Sequence, residues 1–420
     1  MNWKIIQFRY LFKITSGSTP DSGNVEFWDG NIPWVTPEDV SRVGVNGILA
    51  DTRRKISEKG YRNSGTVLVS SHSIVLTKRA PIGQVAILGV EASSNQGCFL
   101  LTPYKNVYSR FYFYYLSTQK EMLHSLGRGS TFMELSTDDL KSLKVPFTQK
   151  ENQIQIAAYL DRETARIDTL IAAKERLLTL LAEKRQALIT RAVTRGLDPT
   201  VKMKDSGVEW LGEVPEEWEI KRIKHVAHKI GSGVTPRGGS EVYEKEGIPF
   251  LRSQNIHFSG LQLDDVVFIS REVHDSMSNS KVEVGDVLLN ITGASIGRCY
   301  YVDQTLGEAN LNQHVCIVRP NSLILTQYLY YFLASDIGQF QISLNQTGGG
   351  REGLNFENLK AFIIPFPSII EQEKILNYIE KWILKLNKLE SSTERTIELL
   401  KERRSTVISA AVTGQIETLE

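Results

Sequence analysis

KITSGSTP spans residues 13–20 and KIGSGVTP spans residues 229–236, so one polar, glycine-broken stretch occurs twice, about half a chain apart in 420 residues. A repeat on this scale decides the fold, because missing it misassigns every element. It extends in both directions. Trp3 and Trp218 open the two copies in WKIIQFRYLF and WEIKRIKHVA. IPWVTPEDV (32–40) matches IPFLRSQNI (248–256), LTKRAPIGQVAI (76–87) matches LLNITGASIGRCYY (288–301), and NQGCFLLTP (95–103) matches NQHVCIVRP (312–320). FYFYYLS (111–117) matches LYYFLAS (329–335). LKSLKVPFTQKENQIQIAAYLD (140–161) matches LKAFIIPFPSIIEQEKILNYIE (359–380), and LLAEKRQALITRAVT (180–194) matches LLKERRSTVISAAVT (399–413). The period is too long for a solenoid and implies two domain-sized units in tandem with internal pseudo-twofold symmetry.

Within each unit the pattern is the same. Short β-branched runs such as TVLVSSHSIVLT and DVLLNI alternate with Gly and Pro breaks, and an aromatic run follows that reads as a buried helix. This is a mixed α+β globule. From about Asn152 to Val193 no Gly or Pro intervenes, and Ile156, Leu160, Ile167, Leu170, Leu177, Leu181 and Leu188 recur at helical steps. The twin segment carries Ile375, Ile379, Trp382, Leu386, Leu389, Leu400 and Val407. Both read as long amphipathic helices, each starting after a Pro-Phe pair, the first ending at Gly196 with Pro199 beyond. Neither can bury its seam alone, so the two are expected to pack antiparallel as a coiled coil. About 40 residues at about 1.5 Å each would make a rod of about 60 Å. Lys174 and Thr393 place polar groups in the seam. The expected segments are a globule at 1–149, a helical spacer at 150–197, an acidic linker at 198–220, a second globule at 221–368, and a second helical spacer at 369–420.

Composition excludes several classes. No apolar run is long enough to span a bilayer, and MNWKIIQFRY has no signal-peptide core. Three cysteines (Cys98, Cys299, Cys316) without a CxxC argue for buried thiols in a reducing cytoplasm, and against a disulfide or zinc framework. A formal net charge of +1 hides a basic excess in the first 197 residues, which the linker offsets. DNA binding needs a basic face rather than a basic total. No Gly-Lys dipeptide occurs, so there is no phosphate-binding motor loop. The absence of Pro-Pro removes an Asn-Pro-Pro-aromatic methyltransferase loop. No GxGxxG cofactor loop follows a strand, and there is no HExxH. His225 and His228 fall on a stretch expected to be helical, as surface residues rather than metal ligands. No cofactor, metal or catalytic residue is expected.

The linker MKDSGVEWLGEVPEEWEIKRI (203–223), the SGxTP loops, the IPW/IPF stretches, the Ile-Gly turns at 82–83 and 296–297, and the PF…EQ…I…Y helix starts together resemble the specificity subunit of a Type I restriction-modification system. The likeness covers essentially the whole chain. It implies two target recognition domains that read a gapped, asymmetric sequence in double-stranded DNA, separated by helical spacers. It also implies partnership with two adenine-methylating modification subunits and, for cleavage, with motor-nuclease restriction subunits. In a closed arrangement VTGQIETLE lies near the N-terminus. The halves are not fully equivalent, because the acidic lead-in to Trp218 has no counterpart before Trp3. The competing class is a coiled-coil scaffold without base-specific readout. It accounts for the helices but not for two divergent, polar-looped globules.

DNA-contact candidates follow from loop position and side-chain type. They are Ser16, Thr19, Lys78, Arg79, Gln84, Arg128, Ser130 and Thr131, with Ser232, Thr235, Arg237, Arg252, Gln254, Asn255, Thr292, Arg298 and Arg351. Arg suits guanine, and Asn or Gln suits adenine. GRGSTFMELS (127–136) and QTGGGREGLN (346–355) hold equivalent places where backbone could approach DNA closely.

Overall fold

The computed structural model describes residues 3–44, 46–129, 133–347 and 353–416. The chain divides into two compact units, residues 1–176 with 393–420, and residues 177–392. Each is therefore discontinuous in the sequence or cut within a helix, unlike the consecutive segments expected above.

The first unit is built on a five-stranded sheet in the order Phe12–Ser16, Cys98–Pro103, Ile74–Thr77, Val85–Leu88, Ile48–Leu49. All neighbours are antiparallel except the last pair. The central runs are buried on both faces, which is why they read as continuous apolar stretches. Alternate residues serve two cores. Ile74, Leu76, Phe99 and Leu101 face the aromatic helices, while Val75, Ala86, Leu88 and Leu100 face Val35 and Val40. The aromatic run folds as two helices, Ser109–Thr118 and Lys120–Ser125, rather than one. A smaller sheet joins Lys55–Ile56, Trp28–Val35 and Ser93–Ser94.

The second unit repeats this plan. Its four-stranded sheet runs Ala227–Ser232, Val315–Pro320, Val287–Asn290, Cys299–Tyr301. Val287, Leu289 and Val318 line one core, and Leu288, Val315 and Ile317 the other. A three-stranded sheet joins Val267–Ile269, Ile248–Leu251 and Asn310–Leu311. The aromatic helices are Thr326–Ala334 and Asp336–Leu344. Their pairing with the first unit differs from the expected one. The Tyr112 hydroxyl donates to the Pro146 carbonyl at 3.1 Å, and the Tyr328 hydroxyl donates to that of Pro365 at 3.1 Å. Tyr112 therefore corresponds to Tyr328, not to Tyr330. These buried hydroxyls each need an acceptor, and that need sets the register.

The long helices span Lys150–Arg195 and Ile369–Thr413. Gly196, with φ +72°, ends the first as expected. They pack together in antiparallel fashion. In the first unit Ile156, Ala157 and Leu160 share a core with Ile408, Ala411 and Val412. In the second, Ile189, Ala192 and Val193 share one with Ile375, Leu376 and Ile379. Leu160, Ile167, Leu181, Ile379 and Leu386 are buried, and Leu177, Leu188, Trp382, Leu400 and Val407 are half-buried. Leu170 and Leu389, expected in the seam, are 43% and 45% exposed. The seam steps through Thr164, Ile167 and Ile171, and through Leu386, Glu390 and Thr393, so each leucine lies one residue off it, about 100° around the helix.

Two further expectations are corrected. Residues 198–220 are not a bare linker. Met203–Asp205 pairs antiparallel with Glu213–Pro215, and Trp218 is 1% exposed in the second unit's core. His225 lies in the short helix Ile223–Val226, but His228 lies in the strand Ala227–Ser232, so they share no helix face. The expected proximity of the chain ends is present as far as residue 416. A Cβ at Gly414 would meet the Trp3 indole at 2.4 Å, just as one at Gly196 would meet Trp218 at 3.3 Å. The rest of VTGQIETLE lies outside the described residues. Among the described residues no helix is long and apolar enough to cross a membrane.

Candidate nucleic-acid interface

The repeated stretch is half strand and half loop. Lys13 to Ser16 and Lys229 to Ser232 are strand residues, and the chain leaves the sheet at Gly17 and Gly233. Both glycines are demanded by close approach. A Cβ at Gly17 would sit 2.2 Å from the carbonyl oxygens of Ser94 and Asn95, and one at Gly233 would sit 2.0 Å from that of Leu311. The backbone then bonds across the gap. Gly17 N–H donates to Cys98 O at 3.3 Å and Ser18 N–H to Ser94 O at 2.9 Å. In the second unit Gly233 N–H donates to Val315 O and Val234 N–H to Leu311 O, both at 3.0 Å.

The Asn-Gln pair of the second repeated motif is held beside this loop. The Asn95 carboxamide accepts from Gly97 N–H at 2.9 Å, and that of Asn312 accepts from His314 N–H at 3.1 Å. The Thr19 hydroxyl donates to the Gln96 side chain, and the Thr235 hydroxyl to that of Gln313. All four of these polar side chains are exposed. Gln96 and Gln313 were missing from the sequence-derived candidates, although the NQ repeat was their signal.

Sheet register gathers the remaining candidates. Ser16 pairs with Phe99, Phe99 with Leu76, and Leu76 with Val85. Ser16, Thr19, Lys78, Arg79, Gln84 and Gln96 therefore sit at one end of the five-stranded sheet. Likewise Ser232 pairs with Cys316, which pairs with Leu289, which pairs with Cys299. That brings Ser232, Thr235, Thr292, Arg298 and Gln313 to one end of the four-stranded sheet. The loop holding Arg252, Gln254 and Asn255 joins them, because the Asn290 amide donates to Ser253 O at 2.7 Å and Asn312 N–H to Leu251 O at 3.0 Å.

Several candidates are committed within the protein. Lys78 is only 9% exposed, bonds Glu134 at 2.7 Å, and lies 5.1 Å from the Phe99 ring centroid. Arg79 meets the same carboxylate at 2.8 Å. Burial alone would raise the Glu134 carboxyl, but Lys78 and Arg79 together outweigh it and hold it below the usual range. Arg128 pairs with Asp139 at 2.8 Å. Thr292 Oγ1 lies 2.6 Å from His314 Nδ1. Asn255 is corrected from contact candidate to structural residue. It is 0% exposed, its Oδ1 accepts from Arg252 N–H at 2.9 Å, and its amide is spent on Gln262 O at 2.9 Å and Asp265 at 3.0 Å. Gln254 also donates to Asp265. Arg237 is exposed beyond the second loop, and Gln84 and Arg298 are half-buried beside Ile-Gly turns whose glycines have φ +87° and +88°. Ser130, Thr131 and Arg351 lie outside the described residues.

The helix seam carries a matched pair of polar contacts. In the first unit Arg404 meets Asp168 at 2.8 Å, and in the second Arg185 meets Glu390 at 2.8 Å and also Asn387. Arg185 and Arg404 occupy equivalent repeat positions, as do Asp168 and Asn387.

Comparison with known proteins agrees with this architecture. A family model for the Type I restriction modification DNA specificity domain matches residues 1–179 and 215–399. The Type I restriction enzyme MjaIX specificity subunit of Methanocaldococcus jannaschii is 25% identical over 424 aligned residues, covering 100% of this chain and 94% of that protein. Two solved structures share the fold. One, from work on complex assembly and conformational transition of the type I R-M system, has TM-score 0.75 at 15% identity, covering 98% of this chain and 97% of that one. The other, the HsdS subunit of Thermoanaerobacter tengcongensis, has TM-score 0.59 at 15% identity, covering 99% and 97%.

Proposed function

The chain belongs to the Type I restriction modification DNA specificity family, and from that premise we propose that each of its two units reads one half of a gapped, asymmetric target in double-stranded DNA. It is the non-catalytic DNA specificity subunit of a Type I restriction-modification complex. The observation that carries the two-reader proposal is the duplicated sheet end. A glycine-tight loop and a Thr–Gln hydrogen bond recur in both units. Residues 1–149 and 221–368 form the two recognition domains, and the helical segments 150–197 and 369–420 set the spacing between half-sites. Those helices also dock two adenine-methylating modification subunits. Restriction subunits join for cleavage, in the cytoplasm where the DNA is, and three buried free cysteines suit that compartment. A plain coiled-coil scaffold has no need of two such sheet ends.

Domain exchange tests the proposal. Residues 1–149 are replaced by the same region of a relative, the complex is assembled with modification subunits, and methylated adenines are mapped by sequencing. One half-site changes while the other half and the gap persist. A change in both halves together overturns it.

A further inference from the structure

Behind the first loop lies a pair of indoles. Trp28 and Trp34 meet edge to face with centroids 5.0 Å apart. They hold the SGSTP loop from beneath, Trp34 Nε1 donating to Ser18 O at 3.0 Å and Trp28 Nε1 to Asp21 O at 3.2 Å. The Arg54 guanidinium lies 3.7 Å from the Trp28 ring centroid and 5.6 Å from that of Trp34. Its neighbours are paired, Arg53 with Glu38 and Lys55 with Asp51. Arg54 is exposed, and its side chain has no carboxylate or hydrogen-bond partner among the described residues.

The second unit has a comparable arrangement built from different residues. Tyr243 and Phe250, the repeat counterparts of Phe27 and Trp34, have centroids 5.6 Å apart. Arg252 lies 6.0 Å from the Tyr243 ring centroid. It gives one hydrogen bond to Asp265 O at 3.1 Å and has no carboxylate partner among the described residues, since Gln254 and Asn255 take the Asp265 side chain. By repeat position Arg252 corresponds to Thr36, and by strand register, with Ile56 on Ile32 as Ile269 is on Ile248, Arg54 corresponds to Val267. Duplication therefore did not carry the arginine. Each unit has acquired one beside an aromatic pair that includes the Trp34/Phe250 position.

We propose that Arg54 and Arg252 are specificity-determining residues, each reading a guanine in the half-site of its own unit. An aromatic face fixes the plane of a guanidinium and leaves its in-plane N–H groups directed outward. Guanine offers O6 and N7 in one plane in the major groove, which matches that fork bidentately. An arginine without a carboxylate partner that already rests against a ring loses little freedom on meeting such an edge. The inference rests on the reading that each unit serves one half of the target.

The test uses the chain assembled with its modification subunits and a library randomised across the half-sites. Methylation by Arg54→Gln relaxes discrimination at one G·C position by about 5- to 150-fold, in one half only. Arg252→Gln does the same in the other half. Arg54→Lys and Arg252→Lys keep the charge and the contact with the ring, and still fail to restore discrimination. In each case the unaltered half-site reports that the assembly is folded. Uniform weakening at every sequence identifies a phosphate contact and overturns the inference, as does unchanged preference or full rescue by lysine. A wild-type assembly with no gapped preference would sink the two-reader proposal itself. A gapped site indifferent to both arginines sinks this inference alone.

Discussion

Alanine at Gly17 or Gly233 tests the recognition loop at its tightest point. At Gly17 the new methyl would lie 2.2 Å from two backbone oxygens. Ordinary carbon–oxygen contact is about 3.3 Å, so the loop must retreat by about 1 Å. That retreat breaks the bonds from Gly17 N–H to Cys98 O and from Ser18 N–H to Ser94 O. Two backbone bonds at about 1 kcal/mol each, with about 1–3 kcal/mol of overpacking, give about 3–5 kcal/mol. Gly233→Ala carries the same cost, because Leu311 O lies 2.0 Å from the new atom. Gly231→Ala is the control: two residues earlier, in the strand that leads to Gly233, its Cβ would meet nothing within 4 Å. Urea unfolding measures the loss, and mapping of methylated sites measures its functional reach. Gly17→Ala blurs one half-site, Gly233→Ala blurs the other, and Gly231→Ala changes neither. The reasoning fails if Gly17→Ala is as stable as Gly231→Ala, or if it degrades both half-sites equally.

Three further outcomes are expected. Leu181→Asp places an unpaired carboxylate at a seam position only 7% exposed, and chemical denaturation should register a loss of about 3–5 kcal/mol together with failure to bind modification subunits. Inserting about four residues after Ala182, roughly one helical turn, should alter the gap between half-sites while both recognised sequences persist, as read by sequencing methylated DNA. The thiols should be silent to alkylation at pH 8 and react only on unfolding. Burial pushes Cys316 up to about 12 and raises Cys98 and Cys299 as well, so almost no thiolate exists in the folded state to attack. A time course of labelling with and without denaturant checks this.

The duplication, many of the strands, and both long helices with their starts and the first one's end were legible in the sequence, because each is either local or self-similar. Apolar period, Pro-Phe starts and Gly196 act within a few residues of where they stand. Sheet register brings most of the candidate loop residues to one end of each sheet. Only tertiary structure could decide the rest, since it turns on partners far apart in the chain. Leu170 and Leu389 look like seam residues until the facing helix defines the seam. Asn255 looks like a base reader until Gln262 and Asp265 close over it, and Lys78 looks free until Glu134 arrives from 56 positions onward. The aromatic run carries no mark of its register, which the Tyr112 and Tyr328 hydroxyls settle by reaching the carbonyls of Pro146 and Pro365. Arg54 stands between two other cations in the sequence, and its role emerges only when Trp28 lies beneath it. Local periodicity determines which elements form; which polar groups remain unspent depends on packing, because a charge or an amide is free only after every neighbour that folding brings has been counted.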